Sequence, residues 1–106
     1  RISKEENTMT NADILNLLLI DLGFIQVDTN RQAQLEQLID SAVAFIQREG
    51  VSLSAPYTVE QAQLIEMYAA YLFRKRDTAE GMPRMLRWAL NNAIFSQAGG
   101  GGNASQ

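Results

Sequence analysis

The chain has 106 residues with a formal net charge of -3, which is one domain's worth of polypeptide, with no room for a second core. Hydrophobic residues make up 46% and charged residues 20%, so wholesale disorder and collagen-like repeats are excluded and a folded globular domain is expected. Histidine and cysteine are both absent, which removes the commonest general base, the thiol nucleophile, disulfides and thiolate metal sites.

The opening segment, Arg1 to Thr8 (RISKEENT), is polar and mixed in charge. It lacks the apolar centre and small-residue cleavage site of a secretory signal, and it reads as an N-terminal extension outside the fold. A protein kept inside the cell is expected. The longest run of large aliphatic residues, Leu17 to Ile20, is far below the roughly 20 residues needed to span a bilayer.

Thr10 with Asp13 resembles a capping box and opens a first helix over about Asn11 to Leu22, which Gly23 is placed to end in a left-handed conformation. Its Ile14, Leu15, Leu17, Leu18, Leu19, Ile20 and Leu22 point in nearly every direction. Either the other helices surround it, or part of it is buried against another subunit. Thr29 with Gln32 predicts the cap of a second helix, apolar at Leu35, Leu38, Ile39, Ala42, Phe45 and Ile46, and Gly50 stops it. Val51 to Tyr57 (VSLSAPY) fits neither helical nor strand periodicity and reads as a loop.

Thr58 with Gln61 caps a third helix running to about Arg76, whose wide apolar arc predicts a central position. Asp77 to Gly81 breaks the pattern. Pro83 suits the first position of a fourth helix, about Pro83 to Phe95, because its missing N–H costs nothing there. Residues 97–106, with GGGG at Gly99 to Gly102, read as a flexible tail. With no convincing strand pair, the expected fold is all-α: a small four-helix bundle over residues 9–96, with a loop between the second and third helices.

Candidate chemistry is sparse. Glu36 and Asp40 lie four apart on one helix face, where two carboxylates can share a metal or a proton. Apolar positions already define the buried side of that helix, so a solvated acidic face is the reading the periodicity favours. No strand precedes the lone glycine cluster and no helix follows it, so it is not a phosphate cradle. Lys75, between Arg74 and Arg76, sits where cations complement a helix C-terminus. No catalytic residue, metal ligand or cofactor site is expected, and the chain reads as a non-enzyme.

The fourth helix is more informative, because a rotation of 100° per residue sorts it into two faces. Met82, Met85, Leu86, Ala89, Leu90 and Ala93 are expected inward. Arg84, Arg87, Trp88, Asn91 and Phe95 form the other stripe, and with Arg74 and Arg76 they are the candidate interface residues. Tryptophan and arginine are enriched at interface hot spots, and exposed large aromatics are otherwise a solubility liability. The competing reading packs Trp88 under a loop of its own subunit. Charge is uneven too. From Met9 to Gly50 six acids face two arginines, whereas from Thr58 to Phe95 four acids face five basic residues. Such halves suit head-to-tail association of copies, which can close a ring.

The segment Tyr68 to Phe95 (YAAYLFRKRDTAEGMPRMLRWALNNAIF), taken with Ala12 to Gly23 (ADILNLLLIDLG) and Leu35 to Gly50, resembles the head-tail connector, or DNA-packaging adaptor, family of tailed phages. The likeness spans about Met9 to Phe95. Its most specific elements are Phe73-Arg74-Lys75-Arg76 at the end of the third helix and Met82-Pro83 leading into Leu86, Ala89 and Leu90.

The resemblance implies a structural virion protein at the head-tail junction, held in the bacterial cytoplasm before assembly. It would form a homo-oligomeric ring, typically twelve-fold, beneath the portal protein. The ring would extend the channel through which packaged DNA passes and dock the next connector or tail-completion protein. By the same likeness, the loop from Val51 to Tyr57 and the last helix are candidate contacts with the portal or neighbouring subunits. The linker Asp77 to Gly81 is short beside some members of the family. A different reading is a small DNA-binding regulator using Arg74, Lys75, Arg76, Arg84 and Arg87 on phosphates, against which the overall acidity counts. A metal-dependent enzyme on Glu36 and Asp40 is a more distant third.

Overall fold

The computed structural model describes residues 8–76 and 81–103. It holds four helices and one very short strand pair: β1 (Thr8–Met9), α1 (Asn11–Leu22), α2 (Thr29–Arg48), β2 (Tyr57–Thr58), α3 (Val59–Lys75) and α4 (Arg84–Asn103). The fold is a small all-α bundle, as the apolar periodicity predicts. Among the described residues no helix is long and apolar enough to cross a membrane.

Local chemistry explains most helix ends. At α1 the Thr10 backbone N–H donates to Asp13 Oδ2 at 2.9 Å, and the Thr10 hydroxyl accepts the Asp13 N–H at 3.3 Å. Gly23, at φ +83°, closes the helix by donating to the Ile20 carbonyl, while Phe24 N–H reaches the Leu19 carbonyl. That bond pair needs a left-handed residue, which glycine adopts without strain. The same pair recurs after α2, from Gly50 to Gln47 and from Val51 to Ile46, with Gly50 at φ +108°.

At the start of α2 the expected cap moves by one residue. Asp28, not Thr29, is the N-cap, and its carboxylate accepts the Arg31 N–H at 2.7 Å. Asp caps as well as Thr and brings a negative charge to the positive end of the dipole. Gln32, expected in a capping box, instead donates to Glu36 Oε2 at 3.3 Å.

The strand pair is a second difference. Thr8 pairs with Thr58 and Met9 with Tyr57 in antiparallel register, so Thr8 belongs to the fold, although the sequence places it in the extension. Residues 1–7 lie outside the described residues. Two-residue strands carry no period-2 signal, and this pair forms because Tyr57 is buried and draws its backbone against β1. Within the loop before β2, Val51 and Leu53 turn into the core, and the Ala55–Pro56 peptide is cis.

α3 is the central helix. Its capping box, Thr58 with Gln61, is complete on both sides. It buries Ala62, Leu64, Ile65, Tyr68, Ala69, Ala70 and Tyr71 and packs against α1, α2 and α4. The alanines let neighbouring backbones approach closely. α1 is nearly surrounded: Ile14, Leu15 and Leu18 are buried, Leu17, Leu19 and Leu22 half-buried, and Ile20 alone of its large aliphatics is exposed. Most of the apolar excess in α1 is thus absorbed within one subunit.

α4 departs most from expectation. It begins at Arg84, with the Pro83 carbonyl accepting the Arg87 N–H at 3.0 Å, so the proline stands one position before the helix rather than at its first turn. It continues to Asn103, past Phe95 and through Gly99 to Gly102, where a tail is expected. Glycine is about 1 kcal/mol less favourable than alanine in a helix interior, so local propensity does not account for this continuation. The expected linker residues 77–80 and the end of the tail, 104–106, lie outside the described residues.

Candidate interaction surface

α4 rests on α3 through Leu86 and Leu90, both fully buried, with Ala89, Ala93 and Ile94 half-buried beside them. The molecule measures 49 × 40 × 18 Å, a slab about two helix diameters thick. Gln97 ties α4 to the loop before β2: its Oε1 accepts the Ser52 N–H at 2.8 Å and its Nε2 donates to the Ser52 carbonyl at 3.2 Å. A side-chain amide has one donor side and one acceptor side, so it completes a backbone unit the way a neighbouring strand does.

All seven candidate interface residues, Arg74, Arg76, Arg84, Arg87, Trp88, Asn91 and Phe95, are exposed, the first two at the end of α3 and the others on α4. Trp88 is 62% and Phe95 76% exposed. Met85, expected inward with Leu86, is 67% exposed and belongs to the outer edge. Rotation explains the correction: Met85 precedes Leu86 by 100°, and α4 has α3 on one side only, so the inward arc is narrower than six positions. Met85, Trp88 and Phe95 recur at spacings of three and seven and share that edge.

Among the described residues no loop covers Trp88. It forms one wall of a groove of about 400 Å³ between α3 and α4, lined chiefly by Leu64, Met67, Ala89, Asn92 and Ala93. A smaller groove of about 160 Å³ follows along α3, walled by Met67, Ala70, Arg74, Met85 and Asp21. Met67 lines both, so the two grooves meet beside the exposed edge of α4.

The cations at the end of α3 are engaged locally. Arg74 pairs with Asp21 of α1 at 3.7 Å. The Arg76 guanidinium stands 5.0 Å from the centre of the Phe73 ring, and the Lys75 ammonium 5.6 Å from that of Tyr71. Arg87, on α4, lies near Tyr68, whose phenol is pushed above its ordinary value first by burial and then by Glu49 and Tyr71, against the opposing pull of Arg87. Tyr68 also stacks on Phe45 at 5.9 Å.

One arrangement had no sequence signal. Arg31 lies over both Phe24, at 5.2 Å, and Phe73, at 5.6 Å, while the two rings meet edge to face. It joins the α1–α2 corner to α3 across more than 40 positions of sequence. Glu36 and Asp40 are both exposed, and among the described residues no three His, Cys, Asp or Glu side chains come together to hold a metal.

Comparison with protein-family models, with curated proteins and with solved structures finds no match to this chain.

Proposed function

We propose that this chain is a non-enzymatic structural subunit of a phage virion, a head-tail connector that works by assembly. It forms a ring beneath the portal, twelve-fold by its resemblance to that family, extends the DNA channel and docks the next connector or tail-completion protein. The observation that carries this reading is the edge of α4, where Met85, Trp88 and Phe95 stand exposed beside an apolar groove on a helix whose helical neighbour is α3. A large aromatic half in water and half over a groove is the usual form of an interface anchor. Arg84 and Asn91 flank it with groups that hydrogen-bond at a polar rim.

The test is the mass of the full chain by light scattering over a concentration series, alone and with a candidate portal protein, for the wild type and for Trp88→Ala. The reading expects a ring-sized species, alone or with portal, and its weakening at least tenfold in the variant, the effect of losing a hot-spot side chain. A wild-type monomer indifferent to portal overturns it. Binding of duplex DNA by that monomer, weakening steeply with salt, would install the regulator in its place.

A further inference from the structure

The last turn of α1 brings Asp21 to the flank of α3, where it pairs with Arg74 and lies beside Glu66. Glu66 of α3 is half-buried, and its Oε2 is shielded from water with no hydrogen-bond partner. The charged groups acting on it are Asp21 from α1 and Arg74 from its own helix, the latter 3.7 Å from Asp21 Oδ1. Arg87 of α4 and Glu49, which follows α2, act on Tyr68 instead. Asp21 also occupies the last turn of α1, which carries no basic residue, so its charge faces the negative end of the helix dipole.

Among the described residues, two ionised carboxylates beside this guanidinium would repel each other, whereas a carboxylate and a carboxylic acid do not. A shielded oxygen without a donor is tolerable on a neutral acid and costly on an anion. We propose that the Asp21–Glu66 pair holds one proton that latches the last turn of α1 to α3, and that losing this proton frees the turn together with Gly23 and Phe24. The freed segment carries the edge-to-face contact of Phe24 with Phe73 and one of the two rings beneath Arg31. The latch therefore governs the whole α1–α2 corner. Its three groups stand on α1 and α3, and its readouts, a carboxyl midpoint and amide exchange, are distinct from the mass that tests assembly.

Burial first, and then the neighbouring Asp21, push the Glu66 carboxyl up from 4.5 to about 8 against the pull of Arg74. A carboxyl raised in the folded state binds a proton that the unfolded chain has already released. Its contribution is therefore full below about pH 4.5 and is lost as pH rises towards about 8.

The test follows the Glu66 carboxyl carbon by NMR titration of the full chain. It adds amide exchange of residues 21–24 between about pH 6 and 9.5, with the intrinsic base catalysis divided out, in the wild type and in Glu66→Gln. The latch expects a Glu66 midpoint above about 7 and at least a tenfold loss of protection above about pH 8, with protection unchanged in Glu66→Gln, whose amide stays neutral. A midpoint near the ordinary carboxyl value overturns it. So does a Glu66→Gln protein that loses protection as the wild type does. Should that variant fail to fold, Asp21→Asn replaces it: a Glu66 midpoint lowered by about one pH unit or more supports the shared proton, and an unmoved midpoint overturns it.

Discussion

α3 and α4 are neighbours with opposite surroundings. α3 has helices on three sides and buries residues around most of its circumference, whereas α4 has α3 on one side and leaves a tryptophan, a phenylalanine and a methionine outside. The two helices have similar intrinsic character, since both mix aliphatic, aromatic and cationic residues at helical spacing. The contrast teaches that an apolar residue on a helix reports the core only where a neighbour covers it. The remainder of the apolar stripe stays in water.

Substitutions graded between the two helices test the contrast. Ile65→Ala, at the fully buried centre of α3, should cost about 4 kcal/mol in denaturant unfolding, because the cavity it leaves is lined from several elements. A loss below about 1 kcal/mol would show that α3 is not the hub. Gln97→Ala, which removes both bonds to Ser52, should cost about 2 kcal/mol. It should also speed amide exchange at Ser52 more than at any residue of α3. Equal exchange there would mean that the clamp does not hold α4.

The cap of α2 offers a smaller and sharper comparison. Asp28→Ala should lower stability by about 1 kcal/mol, while Thr29→Ala, one residue inside the helix, should change it by only a few tenths. The reverse order would restore the cap expected from the Thr29–Gln32 pattern. Smallest of all, Trp88→Ala should alter the unfolding free energy by about 0.5 kcal/mol or less, because most of the ring is already in water. Loss of helicity in that variant would place Trp88 in the core and remove it from the proposed interface.

Why some of this was legible follows from distance along the chain. The capping boxes at Thr10 and Thr58 and the glycine ends at Gly23 and Gly50 each involve residues within six positions of one another. The seven interface candidates are all exposed, and polar and cationic neighbours mark such an outer stripe in the sequence. Their local partners were not legible. Arg74 meets Asp21 across 53 positions, and nothing local announces the pairing. Met85 was expected in the core for a related reason: amphipathic periodicity gives the direction of a stripe but not how wide a face its neighbour covers.

By itself, then, the sequence determined the number and order of the helices, the caps at Thr10 and Thr58, the glycine stops at Gly23 and Gly50, and the central place of α3. Each depends on backbone groups satisfied within one turn or on an apolar arc too wide for a surface helix. Only the tertiary structure decided that Tyr57 and Met9 pair as strands, that Gln97 completes the Ser52 backbone, that Arg31 bridges Phe24 and Phe73, and that Glu66 shares its surroundings with Asp21. Those contacts join segments far apart in the chain. Their energies depend on burial and geometry, which exist only once the helices have packed.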